Sequence, residues 1–255
     1  ANAFGIAASG AGGLFAFLPT GASSRHTHAA NACVTGLMAA VAAKTGITGP
    51  PNVFEGPDGF IGPYSGGCDR SYIDRPLPTD IVSYELMNAY HKKYTACGHA
   101  IPAITMALQL RQDISCQNDQ IESVEIYGYT ASAALTNFPV GSVGEAKFSL
   151  PVIFALSAIF GDVSPSQMTL SVINRTDVQS LAAKVGVFEE VAYSEIFPKV
   201  RGGRIEVTLH DGQMLTYSTE APIGMPANRL SFDDVSDKFM VSAPAHLGLP
   251  TSAEF

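Results

Sequence analysis

Two short stretches hold most of the side chains able to bind anions and move protons. In "GASSRHTHAANAC", residues 21–33, Arg25, His26 and His28 fall within four positions. In "HKKYTACGHA", residues 91–100, His91, Lys92, Lys93 and His99 follow closely on one another. Arginine offers a planar fork to a carboxylate and lysine a mobile point charge. An imidazole exchanges a proton near neutral pH. Arg25 with His28, and Lys92 with His99, would suit a substrate bearing several carboxylates. His26, Lys93 and His91 stand beside them as further contacts. The chain carries 15 Lys+Arg against 23 Asp+Glu, a formal net charge of −8. An anionic ligand must therefore be held by local clusters rather than by a general positive field. The basic footprint of a nucleic-acid partner is absent.

Other chemistries fit less well. "SGAGGLF" has Gly10, Gly12 and Gly13, but Phe15 stands where a dinucleotide fingerprint needs its third glycine, and no strand precedes it. His26 and His28 lack the third ligand of a metal site, so no metal is expected. There is no G-x-S-x-G elbow. Cys33, Cys68, Cys97 and Cys116 form no C-x-x-C pair and read as reduced, buried, inert thiols. No apolar run of about eighteen residues is present to span a membrane, and no basic n-region marks a leader. The expectation is a cytoplasmic protein with no membrane partner.

The elements that must position these residues follow from periodicity and punctuation. Residues Ala3–Leu18 read as a helix weakened by its glycines. Ala29–Lys44 reads as a second helix, ended by Gly46. The Gly/Pro-rich stretch from Thr48 to Pro78 reads as ordered loop or short helical turns. "PAITMALQLRQD" is an amphipathic helix, and "IESVEIYGY" a strand with Ile121, Val124 and Ile126 on its buried side. "EAKFSLPVIFALSAIFG" is an apolar helix with Pro151 in its first turn, and "DVQSLAAKV" a short one. "RIEVTLHDGQMLTYSTE" is a hairpin turning at Asp211-Gly212. Ser231 with Asp234 resembles a capping box.

These motifs, in order, are similar to those of the MmgE/PrpD family, which includes 2-methylcitrate dehydratase, cis-aconitate decarboxylase and iminodisuccinate epimerase. "FGIAASGAGGLFAFL" resembles its small-residue helix and "SRHTHAANACVTGLMAA" its Lys-x-x-His helix entry. "GPPNVFEGPDGF" resembles its Phe-Glu-Gly loop, "KKYTACGHAIPAI" its Lys-x-Tyr-Pro-x-Cys segment and "EAKFSLPVIFALSAIFGD" its Lys-Phe-Ser-Leu-Pro helix. The resemblance spans nearly the whole chain. It departs at Arg25 (usually Lys), Thr95 (usually Pro), Ile101 (commonly His, with His99 two residues earlier) and Val152 (often Tyr).

What the resemblance implies is an α+β fold, a large helical domain with a smaller α+β lid, usually dimeric, with the active site where the two meet. It implies no metal and no organic cofactor. The expected boundaries are a helical-domain segment over 1–87, the lid over 88–222 and a return to the helical domain over 223–255. The family's first helical segment is expected to be absent, the chain beginning without Met inside a helix. The expected activity is a dehydratase-type lyase acting on a small polycarboxylate, by proton abstraction next to a carboxylate and loss of water. Decarboxylation or epimerisation are the alternatives within the family. Catalysis is assigned to His28 and Lys92, and substrate binding to Arg25, His26, Lys93 and His99. The partner is a second copy of the chain. The rival reading is a non-catalytic or split-enzyme subunit completed by a partner chain that supplies the missing helical segment.

Overall fold

A computed structural model describes residues 1–17, 20–65, 76–113 and 117–243. The chain divides into two compact units, residues 1–17 with 22–83, and residues 18–21 with 84–255.

The first unit is helical: α1 (Asn2–Ser9), α2 (His28–Lys44) and the short α3 (Ile61–Ser65), with α1 packed on α2. The expected helix over Ala3–Leu18 stops at Ser9. Gly10, Gly12 and Gly13 follow, and Gly13 adopts φ +106°, a conformation that costs glycine nothing and other residues much. Gly5 is the buried point of α1, because the backbone of Gly49 and Pro50 crosses there; a Cβ would lie 2.7 Å from it. Helix α2 runs as expected, with one residue more at its start. His28, Asn31 and Thr35 share one side of it and Val34, Leu37, Met38 and Val41 another, yet only Ala39 is buried and those four apolar side chains are exposed. Cys33, expected to be buried, is exposed on the same helix. Cys68 and Cys116 lie outside the described residues.

The second unit is a layer of helices on a four-stranded sheet, so the fold is α+β as expected. In chain order it contains α4 (Ile101–Asp113), β1 (Ile121–Gly128), α5 (Thr130–Ala133), α6 (Val143–Ala146) and α7 (Leu150–Phe160). Next come α8 (Leu170–Ile173), α9 (Thr176–Ala182), β2 (Val185–Glu189) and α10 (Val191–Ile196). The hairpin β3 (Gly203–Leu209) and β4 (Met214–Thr219) precedes α11 (Phe232–Ser242). The strand order is β2-β1-β3-β4, with β1 parallel to β2 and antiparallel to β3. The hairpin turns at Gly212, φ +85°, as the Asp-Gly dipeptide predicts.

Ile121, Val124 and Ile126 are all buried although their spacing is not strictly alternate. A register shift between Ile121 and Ser123 explains this: the irregularity changes the parity of the strand, so Ile121 before it and Val124 after it face the same side. They meet Ile205 and Val207 of β3, and Ile104, Met106 and Leu110 of α4, in one apolar core.

The expected helix over Glu145–Gly161 is two. Helix α6 ends at Ala146, and α7 restarts at Leu150. Ser149 is the reason for the new start: its hydroxyl accepts from the Val152 amide at 3.3 Å, with Pro151 in the first turn. The same hydroxyl donates to the Asn137 carbonyl at 2.5 Å. At the other end Gly161 is left-handed, and Arg111 of α4 donates to the last carbonyls, Ala158 at 2.9 Å and Ile159 at 2.6 Å. That cross-link fixes α4 against α7, and α4 carries the site residues at its entrance. Strand β2 was not among the expected elements; the stretch read as helix through Val185 ends at Ala182, and Val185 opens the strand.

Candidate functional site

The segment from Ala89 to Cys97 has no regular structure beyond bends, so its shape comes from where its backbone is tied. The His91 amide donates to the Gly224 carbonyl at 2.9 Å, the Thr95 amide to Val163 at 2.7 Å, and the Cys97 amide to Lys147 at 2.9 Å. Gly224 has φ +88°, and a Cβ there would lie 2.0 Å from the His91 carbonyl oxygen. Lys238 of α11 donates to the Lys92 carbonyl, and Lys93 pairs with Asp234 of the same helix. Asp234 also closes the capping box with Ser231, as the sequence predicts. Lys93 and Ser231 together hold its carboxyl well below the usual carboxylate range. Thr95 stands where the resemblance has Pro, and its N–H makes a bond that proline could not make.

After Cys97 the chain enters a single helical turn, Gly98–Ala100, leading into α4. His99 sits on this turn, half-buried. Its Nδ1 lies 2.9 Å from the hydroxyl of Tyr129, the residue just past β1. The Tyr129 ring stacks on Phe197 at 4.4 Å and 16°, and both rings approach the imidazole, at 5.6 Å and 6.1 Å between centroids. Arg201 spans the rings of Tyr90 at 4.8 Å and Phe197 at 5.4 Å, which sets its charge near the Tyr129 hydroxyl. Gly98 leaves room for this arrangement: a Cβ would lie 2.5 Å from the Tyr90 hydroxyl and 3.4 Å from Lys92 Cε.

The electrostatics follow from burial among cations. Burial first, then Arg201 and Lys92, push the His99 pKa below its ordinary value, so the imidazole is held towards neutrality. Burial raises Tyr129 to about 12 despite the opposing Arg201 charge. Tyr94, buried one turn away in sequence, is likewise raised to about 12, by burial and then by Asp162 and Asp234. Lys238 is lowered by burial and by Lys92. The result is a cluster of hydrogen-bond donors: Arg201 and the His99 imidazole against aromatic rings, with the exposed Lys92 beside them.

Of the residues expected from the sequence, Lys92 and His99 are brought together here, and Lys93 is tied to Asp234. Ile101 and Val152, at the positions where the resemblance has His and Tyr, are both core residues. Arg25, His26 and His28 belong to the first unit. Arg25 is half-buried and His26 exposed in the turn Ser23–Thr27 that leads into α2. His28 opens α2, with its ring edge-on to Phe17 at 5.8 Å. His28 lines a cleft of about 630 Å³ between α1 and α2, whose other walls include Asn31, Phe4, Phe54 and Phe60. This cleft is mainly aromatic and aliphatic, and neither Arg25 nor His26 lines it. Among the described residues, no three His, Cys, Asp or Glu side chains gather as a metal site, and no helix is long and apolar enough to cross a membrane.

Sequence reading missed Tyr129, Phe197 and Arg201. Tyr129 ends the alternating run of β1 and carries no local motif, while Phe197 and Arg201 lie in "IFPKVRGG", a connection with no periodicity. A lone arginine beside paired glycines, just ahead of the hairpin, is the available signal.

Two family comparisons bear on these units. Residues 1–72 match the MmgE/PrpD N-terminal domain, and residues 94–253 match the MmgE/PrpD C-terminal domain.

Proposed function

The chain belongs to the MmgE/PrpD family, whose role is generally dehydratase- or lyase-like, and on that footing we propose that it acts on a small polycarboxylate of the citrate type. The reaction is a dehydration: a proton leaves the carbon next to a carboxylate, an enolate-like oxygen gathers charge, and hydroxide departs from the neighbouring carbon. The observation that supports this reading is the grouping of Lys92, His99 and Arg201. Preorganised donors aimed at a developing oxyanion are usually the largest contribution to such a rate, and a guanidinium and an ammonium suit carboxylates. Lys92 stabilises the charge and His28 moves the proton. Arg25, His26, His99 and, through its hold on the segment, Lys93 bind substrate. Decarboxylation and epimerisation share the same enolate and remain the alternatives.

The test follows the ultraviolet absorbance of an unsaturated product with citrate-type substrates, using the full chain and its Lys92→Ala, Arg25→Ala and Arg201→Ala variants. The expected outcome is turnover in the parent and a loss of two orders of magnitude or more at Lys92, the scale of one oxyanion donor. Unchanged turnover in both Lys92→Ala and Arg25→Ala rejects the assignment.

One observation supports a multi-chain assembly. Val34, Leu37, Met38 and Val41 fall at helical spacing on one side of α2, an apolar stripe of the kind that ordinarily faces a core, yet all four are exposed. A homodimer, or a partner chain completing the helical unit, accounts for this. Mass measurement of the native particle, with turnover assayed before and after mixing with the partner, separates the two.

A further inference from the structure

None of the residues of α11 is buried. Its apolar stripe, Phe232, Val235 and Phe239, is exposed, so apolar packing contributes little to where the helix sits. What α11 offers the unit is a pair of charged side chains one helical turn apart, Asp234 and Lys238, which therefore lie on the same side of it. They meet two consecutive residues of the irregular segment. Asp234 pairs with the Lys93 ammonium, and the Lys238 ammonium donates to the Lys92 carbonyl. Asp234 is fixed in turn by the helix start, where its carboxylate accepts from the Ser231 amide at 2.9 Å and from the Ser231 hydroxyl at 2.7 Å. The two grips bracket the peptide bond between Lys92 and Lys93. From that bond the Lys92 side chain runs to place its Cε 3.4 Å from where a Gly98 Cβ would lie, one residue before His99.

We propose that α11 is a clasp, with Asp234 and Lys238 as positioning residues that hold the main chain at Lys92 and Lys93 and so keep the Lys92 ammonium beside His99. Neither side chain has to touch substrate. A carbonyl gripped by an ammonium resists rotation of its peptide plane, and that rotation would carry the Lys92 side chain away from Gly98. The amides of His91 and Thr95 tie the segment on either side, which leaves the peptide between residues 92 and 93 to the helix. The consequence for catalysis rests on the lyase reading above, in which Lys92 stabilises the developing charge, whereas the clasp itself is a property of the free protein.

Two measurements on the full chain test this, with Lys238→Met and Asp234→Asn as the variants. Amide hydrogen exchange over residues 89–97, without substrate, reads the clasp directly. Each variant should exchange these amides several-fold faster, because local opening is less opposed; exchange unchanged in both overturns the proposal. Turnover of a citrate-type substrate reads the consequence. Each variant should lose about tenfold in kcat at unchanged KM, the scale of one hydrogen bond to a charged group, and Lys238→Arg should retain the parent rate. In a Lys92→Ala background neither variant should lower the residual turnover further, because both act through Lys92; a general weakening of the fold would lower it again, and that result overturns the proposal. A rise in KM at unchanged kcat makes Lys238 a direct substrate contact and overturns it too. Should Asp234→Asn fail to fold, Lys238→Met, at an exposed position, still decides. A parent without turnover whose variants exchange faster would sink the lyase reading and leave the clasp standing, so the two failures are distinct.

Discussion

Replacing Ser149 by Ala removes a hydroxyl that works in two directions. It accepts from the Val152 amide at the start of α7 and donates to the Asn137 carbonyl, and the residue is 0 % exposed. Losing the helix cap costs about 1 kcal/mol. Leaving a carbonyl without its donor, where water cannot replace it, costs about 1–3 kcal/mol more. The expected loss is therefore roughly 2–4 kcal/mol, or a fall in Tm of roughly 5–15 °C for a protein of this size. Ser142→Ala is the control. Ser142 caps α6 through the Glu145 amide at 3.1 Å but is half-exposed, so its loss should cost about 1 kcal/mol or less. Urea unfolding followed by far-ultraviolet circular dichroism reads both, with an unchanged m-value confirming that the midpoint shift is a stability change. If Ser149→Ala costs no more than Ser142→Ala, the accounting of the buried hydroxyl is wrong, and α7 owes its start to Pro151 and packing alone.

Three further outcomes follow from the site. Gly224→Ala forces an L side chain into φ +88° against the His91 carbonyl; the left-handed conformation alone costs roughly 1–2 kcal/mol, and the clash adds to it, which denaturant midpoints will show as a loss larger than that figure. His99 has a folded pKa below its ordinary 6.5, so it stabilises the fold above that pH; the unfolded chain takes up the proton first as pH falls below about 6.5. Unfolding midpoints between pH 8 and 5 should therefore drop less in His99→Gln than in the parent, and parallel curves would refute this. Asp234→Asn removes the carboxylate held low by Lys93 and Ser231; it should destabilise the protein above the usual carboxylate range and have no effect well below it, measured by thermal unfolding at both ends.

Much of the architecture was legible because local signals and tertiary needs agree. The Asp211-Gly212 hairpin, the Ser231 cap and the buried side of β1 all come from rules that act within a few residues. Failures occur where tertiary contacts decide. Gly10–Gly13 end α1 because the chain must turn, and a propensity sum does not register that. Ser149 divides a continuous apolar run by offering the backbone a better start. Strand β2, "VGVFE", is too short to show a period and exists because β1 lies beside it. The site divides in the same way. Lys92 and His99 are near in sequence and were readable as a cluster. Tyr129 and Arg201 reach His99 from 30 and 102 residues further along, and no local spacing could announce them.

Beside the Lys93–Asp234 pair, the stretch that bears Lys92 and His99 is secured through main-chain atoms: the amides of His91, Thr95 and Cys97, and the carbonyl of Lys92. Main-chain anchors are indifferent to which side chain hangs from them. Such a stretch works like a fixed rail on which reactive groups can be exchanged while its path stays put, and Thr95 strengthens the rail by contributing an N–H that proline lacks. Variation in substrate among similar chains can then arise by changing what is mounted at positions 92 and 99, without redesign of the framework beneath.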